Sequence, residues 1–210
     1  IHLKFAHDSL DEHNFQVTAI HHIKCNMDDE DGDDKVDGSS CDEPSYIEFN
    51  AIQFHNVRVR DVTADSDSSS SSSLVVNNCV QHTYDGEIIR VQFERAWKSR
   101  EHRRIEISYT VESPLSSIAF HYKPRQQGER QQQQQQQQQI PTLGKYAVTD
   151  HETERARFWL ACVDYPVLRP TMNFYFTIPV EWSAYANGVL KSESVLSDDT
   201  SLKMVEWSNT

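Results

Sequence analysis

The sequence predicts an all-β fold, an antiparallel β-sandwich or saddle that carries long low-complexity loops. Three observations lead there: many short runs rich in β-branched and aromatic residues, period-two alternation within several of them, and polar low-complexity stretches between them. "RRIEISYTV" shows the alternation, with Ile105, Ile107, Tyr109 and Val111 on one face and Arg104, Glu106, Ser108 and Thr110 on the other. A strand with one apolar face belongs to a sheet buried on one side, which favours antiparallel pairing.

In chain order the expected strands are "FQVTAIHHI" (15–23), "YIEFNAIQF" (46–54), "VRVRDV" (57–62), "LVVNNCV" (74–80), "EIIRVQFER" (87–95), "RRIEISYTV" (103–111), "IAFHY" (118–122), "TMNFYFTI" (171–178) and "LKMVEW" (202–207). A helix is expected only within "FERAWKSREH" (93–102), which has good helix formers but no clear apolar stripe. Residues 28–43, 64–73 and 125–139 are acidic, Ser-rich and Gln-rich in turn. They hold too little apolar surface to offset the entropy of ordering, so they are expected as disordered loop insertions in one domain spanning 1–210. The glutamine run would sit in a strand connection, where added length costs little extra closure entropy.

A chain of 210 residues is long enough to bury a core. Its net charge of -12 is uneven: between Asp28 and Glu43 nine acidic residues face one lysine. The near-neutral remainder argues against a nucleic-acid-binding face and offers no polybasic membrane patch. No apolar run reaches the ~20 residues needed to span a bilayer, and the N-terminus lacks a signal-peptide layout. Because it begins at Ile1, the chain reads as an excerpt of a longer protein, and an upstream targeting segment stays open.

The four cysteines, Cys25, Cys41, Cys79 and Cys162, show no C-x-x-C spacing. Reduced thiols and an intracellular, cytoplasmic location are the expectation. No metal site is expected in this chain. His21 and His22 are adjacent on a strand and so point to opposite faces, which prevents both from joining Cys25 around one ion. "HETER" (151–155) begins like the zinc motif H-E-x-x-H, but Arg155 occupies the place of the second His, and a guanidinium cannot replace an imidazole ligand. Aligning Gly32 with the invariant glycine of an EF-hand puts Met27 at the first ligand position and Gly38 at the bidentate Glu position, so that motif is rejected too.

The stretch "TDHETERARFWLACVDYP" (149–166) is nonetheless informative. Phe158, Trp159, Leu160, Cys162 and Val163 are apolar enough to be core, and Asp164 ahead of Pro166 and Asn187 ahead of Gly188 suit turns. Arg157 and Asp164 suit a partly buried ion pair that locks a corner.

"TDHETERAR", "FWLACVDYP", "TMNFYFTIP" and "AYANG", in this order and spacing over 142–188, resemble the N-terminal, saddle-like domain of the aminopeptidase N family of zinc metallopeptidases. "FNAIQFHNVRV" and "VESPLSSIAFHY" are similar to upstream segments of that domain, and residues 1–45 match it by strand pattern alone. Ala161 stands where most members have proline, which frees a backbone dihedral.

The resemblance implies a fold, a structural corner (Arg157, Cys162, Asp164, Pro166) and a role. In catalytic members a Gln or Glu ahead of the arginine receives the substrate's free amino group. The matching position is Glu152, with Asp150 at a neighbouring polar position. It further implies that zinc and its ligands belong to a downstream catalytic domain of the same polypeptide. This chain would then supply one wall of the cleft and no catalytic residue. The alternative family member is the non-catalytic, aminopeptidase-like large subunit of TFIID, to which "ARFWLACVD" is also similar; that reading implies a nuclear scaffold with TFIID subunits as partners.

Overall fold

The computed structural model describes residues 1–24, 45–63, 80–95, 97, 100–121 and 144–209. The three low-complexity stretches, most of "LVVNNCV", and Cys25, Cys41 and Cys79 lie outside the described residues.

Twelve strands are described: β1 (His2–Lys4), β2 (Asn14–Lys24), β3 (Tyr46–Asn50), β4 (His55–Asp61), β5 (His82–Tyr84), β6 (Ile88–Gln92), β7 (His102–Glu112), β8 (Ile118–His121), β9 (Tyr146–Thr149), β10 (Asn173–Pro179), β11 (Val189–Val195) and β12 (Leu202–Ser208). They form a seven-stranded sheet in the order β11-β12-β10-β1-β2-β7-β4, a three-stranded sheet β3-β6-β5 and a pair β8-β9. The all-β expectation holds. Every pairing is antiparallel except β1 with β10, which is parallel. A single α-helical turn, α1 (Ser9–Glu12), links β1 to β2.

The alternation read from the sequence of β7 is the alternation of burial: Ile105, Ile107, Tyr109 and Val111 are inside, and so is Arg103 at its start. β2 pairs with β7 along its whole length, setting Val17 opposite Tyr109 and Ala19 opposite Ile107. Phe49 of β3 and Ile89 and Val91 of β6 join the same buried cluster as these side chains, so the two larger sheets share one core. This sharing is what makes a half-apolar strand stable, since each sheet removes the other's inner face from water.

No described residue of 93–102 is helical before β7 begins at His102, contrary to the expected helix. The reason is packing. Phe93 and Trp97 are both buried, and the Arg103 guanidinium lies over their rings at 4.3 and 5.5 Å from the centroids. Arg100, at φ 63, adopts the left-handed conformation, which a helix cannot contain. The expected "YIEFNAIQF" strand also stops early, at Asn50, where Ala51 and Gln53 turn back to bond Glu87 and Gly86.

Strand β11 is exposed at every position and borders the sheet. Its entry is fixed by Gly188 at φ +111, where an added Cβ would lie 2.1 Å from the Ser208 carbonyl oxygen. Only glycine fits so close an approach in that conformation.

Candidate functional site

Residues 156–164 run from the 3-10 turn Ala156–Phe158 to an isolated antiparallel bridge between Cys162 and Asn50 at the end of β3. Asn50 N–H donates to the Cys162 carbonyl at 2.7 Å, Cys162 N–H donates back at 3.2 Å, and Asp164 N–H donates to Asn50 Oδ1 at 3.1 Å. Ile52 N–H donates to the Arg157 carbonyl at 2.8 Å. One asparagine thus stitches the corner to the three-stranded sheet.

The opposite side is held by Tyr109 of β7. Its hydroxyl donates to the Trp159 carbonyl at 3.2 Å and accepts the Ala161 N–H at 2.8 Å, while its ring stacks on Phe54 at 4.3 Å. Burial pushes the phenol upward, so it stays protonated and able to do both. The Ala161 N–H in this bond is one that proline could not supply, so the alanine carries a contact as well as a freer dihedral.

Trp159, Leu160 and Ala161 are buried, Phe158 and Cys162 half-buried, and Val163 is 42% exposed. Val163 therefore does not belong to the core as expected. Strict alternation would put Ala161 and Val163 on the same side, so the exposure of Val163 shows that the extended pairing ends at the isolated Cys162 bridge. Burial raises the Cys162 thiol to about 12, so it packs as a neutral group. Pro166 is exposed, following exposed Tyr165.

Arg157 and Asp164 close the corner. The guanidinium Nε lies 2.9 Å from Asp164 Oδ2, an Arg157 terminal nitrogen donates to the Asp164 carbonyl at 3.0 Å, and the Arg157 N–H reaches Oδ2 at 3.2 Å. The carboxylate is mostly shielded from solvent, so the contact is stronger than a surface pair.

Ahead of the corner, residues 149–155 leave β9 as an exposed loop whose charges, Glu152 apart, are satisfied locally. Asp150 N–H donates to the buried Ser117 carbonyl at 2.6 Å. Asp150 accepts the Glu152 N–H at 3.2 Å and pairs with Arg155 at 3.3 Å. Arg155 Nε donates to the Glu152 carbonyl, and Glu154 pairs with Arg157 at 3.2 Å. His151 Nε2 accepts the Trp159 indole N–H at 2.7 Å. Glu152 is exposed, and among the described residues its carboxylate has no hydrogen-bond or ion-pair partner.

Of the residues singled out from the sequence, Cys162 and Asp164 come together at Asn50 and Arg157 joins them through Asp164, whereas Asp150 and Glu152 lie on the adjoining loop. Sequence reasoning missed Asn50, and it placed Tyr109 only as a buried face residue. Their partners are backbone groups at sequence separations that no local pattern reveals. His21 turns inward against Phe49 while His22 is exposed. Among the described residues no three His, Cys, Asp or Glu side chains are grouped to hold a metal ion. No described helix is long and apolar enough to cross a membrane.

The Peptidase M1 N-terminal domain model matches residues 12–210. The chain belongs to that family. Among solved structures, an M1 zinc metallopeptidase from Deinococcus radiodurans is similar over 100% of this chain and 37% of its own, with 12% identity and a TM-score of 0.59. A two-domain M1 zinc metallopeptidase mutant bound to L-arginine is similar over 100% of this chain and 37% of its own, with 14% identity and a TM-score of 0.56. A mutant of the Deinococcus enzyme bound to a Tyr-Ser-Ala substrate covers 99% of this chain and 37% of its own, with 14% identity and a TM-score of 0.55. At such identities the likeness is one of fold, and this M1 N-terminal domain spans little more than a third of each relative. No curated protein matches the sequence.

Proposed function

We propose that residues 1–210 form the N-terminal domain of a zinc-dependent aminopeptidase, making one wall of a cleft completed by a downstream catalytic domain. Glu152 is the anchor for the terminal ammonium of a peptide substrate. The observation that carries this reading is the contrast within the loop: Asp150, Glu154, Arg155 and Arg157 are all paired, and among the described residues of the loop Glu152 alone presents an unpaired carboxylate. An ammonium brings three donors and a full charge, which an unpaired carboxylate can accept without first breaking an internal contact. Asp150 contributes by holding Arg155 and the Glu152 N–H, so it shapes the loop from within. Zinc, where the parent holds it, would supply Lewis acidity elsewhere; the described residues offer no donor set for it, and no step of hydrolysis is assigned to them.

The scaffold reading, a domain of the aminopeptidase-like TFIID subunit, draws on the Arg157–Asp164 corner, which serves packing and needs no substrate. One experiment separates the two. Full-length protein and its Glu152→Gln variant are assayed on aminoacyl reporter substrates. A lost charge-assisted contact of about 1.5–3 kcal/mol should raise KM roughly 10- to 150-fold. Hydrolysis with KM unchanged in the variant refutes the anchor, and a wild-type protein that hydrolyses nothing favours the scaffold.

A further inference from the structure

We propose that His151 is a positioning residue that sets the loop carrying Glu152, by accepting the Trp159 indole N–H while its imidazole is neutral. The inference deepens the amine-anchor reading and rests on it for its functional consequence. Its structural content stands on separate observations.

The indole nitrogen is a donor only, so at 2.7 Å the facing His151 Nε2 must be an unprotonated acceptor and the ring proton must sit on Nδ1. The two rings lie side by side, inclined by 23° with centroids 5.5 Å apart. Trp159 is itself immobilised: it is 3% exposed, its carbonyl is held by Tyr109, and its N–H donates to Ala156 at 3.1 Å. The residue next to Glu152 is therefore tied to the buried corner, whereas the loop's other side-chain contacts, two ion pairs and the hydrogen bonds of Asp150 and Arg155 to the Glu152 backbone, all involve exposed or half-exposed groups. Those pairs hold the loop weakly, and the imidazole–indole bond orients it.

Protonation would place an N–H against an N–H and break the contact. The charged groups around His151 are Asp164 and Asp150, which favour the imidazolium. Arg157 and Arg155 pair with those same acids, Glu154 pairs with Arg157, and the nearby Cys162 thiol is neutral. His151 is exposed as a whole residue, but desolvation of its ring where it meets Trp159 outweighs the two acids and holds the imidazole below its ordinary range. The sign follows: the contact is complete above the ordinary imidazole pKa and is lost as pH falls through the lowered value. Its loss frees Glu152 from its set position.

The test uses full-length protein and three readouts: amide hydrogen exchange across 149–155, the indole resonance of Trp159, and KM for aminoacyl reporters as a function of pH. In wild type, loop exchange and KM should rise together in acid while the indole resonance moves, with KM up about fivefold, the worth of one hydrogen bond. His151→Ala should show the acid behaviour at every pH with kcat retained. His151→Gln, which offers an acceptor that does not titrate, should keep the loop protected and remove the acid step. Loop exchange indifferent to His151→Ala, or an acid step in exchange that survives in His151→Gln, overturns the proposal. The outcomes separate from those for Glu152. If Glu152→Gln leaves KM unchanged while loop exchange follows His151, the anchor is wrong and the positioning stands. If Glu152→Gln raises KM and the loop ignores His151, the reverse holds.

Discussion

The corner 156–164 and the loop 149–155 are consecutive in sequence, yet they satisfy their polar groups in opposite ways. The corner's backbone groups bond partners in the fold's interior or at its margin: half-buried Asn50 on one side and the buried Tyr109 hydroxyl on the other. The loop relies on ion pairs whose side chains are 40–65% exposed at Arg155 and Asp150. Buried neutral bonds are costly to break, because the abandoned group has no water to turn to, while exposed ion pairs exchange readily with solvent. The difference divides the labour: the corner fixes a place in the fold, and the loop presents groups at that place.

The sharpest way to break the contrast is Tyr109→Phe. The ring and its stack on Phe54 survive, but the Trp159 carbonyl and the Ala161 N–H both lose their partner in a dry site. At about 1–2 kcal/mol for each stranded group, urea unfolding should show a loss of ~2–4 kcal/mol with an unchanged m-value. A loss below ~1 kcal/mol would mean that the corner does not depend on the hydroxyl.

Acid sharpens the same comparison from below. His21 lies under the corner, its Nε2 shielded from solvent and its ring 4.6 Å from that of Phe49. Burial lowers its pKa to about 4. An imidazole depressed in the folded state gives stability that is complete above its unfolded pKa near 6.5 and declines as pH falls toward the folded value. Between those limits the loss should reach up to ~3 kcal/mol, measured as the difference in unfolding free energy at pH 7 and pH 4. His21→Leu should flatten that part of the profile; an unflattened profile would place the titrating group elsewhere.

A third, smaller effect belongs to the seam between the regions. Arg157→Met removes a guanidinium that reaches Asp164 in the corner and Glu154 in the loop. Leaving the shielded Asp164 carboxylate unpaired should cost about 1–3 kcal/mol by thermal or urea unfolding. Glu154, half-exposed, contributes little to that loss.

These regions also differ in how much of them a sequence can disclose. The strands β2, β6 and β7 are legible because period-two burial is written directly in residue type, and β10 and β12 as short runs rich in aromatic and apolar residues whose burial does not alternate. β11 is not, since its "VLKSESV" is an edge with both faces wet and nothing to alternate. β1 and β5 are three residues each and exist through their neighbours. At the site, Arg157, Cys162 and Asp164 are visible as a pattern, but Asn50 and Tyr109 act at separations of about a hundred and about fifty residues through backbone groups, which carry no residue code. Ala161 shows the limit most clearly: its side chain says only that it is small, and its structural value lies in an N–H that every non-proline residue has.

The smallest expected effect is the one that tests the division of labour most directly. Arg155→Ala deletes the pair with Asp150 and the contact to the Glu152 carbonyl, both at the surface of the loop. Because exposed pairs contribute little and no buried group is stranded, the unfolding free energy should move by less than ~0.5 kcal/mol. Hydrogen exchange within 149–155 should nevertheless quicken, and exchange at Trp159 to Ala161 should not, since those amides answer to Tyr109 and the 3-10 turn. A local change without a global one would establish that the loop is a separately tuned element on a fixed corner. If Arg155→Ala instead lowers global stability as Tyr109→Phe does, loop and corner form one cooperative unit, and the orientation of Glu152 is set by the fold as a whole.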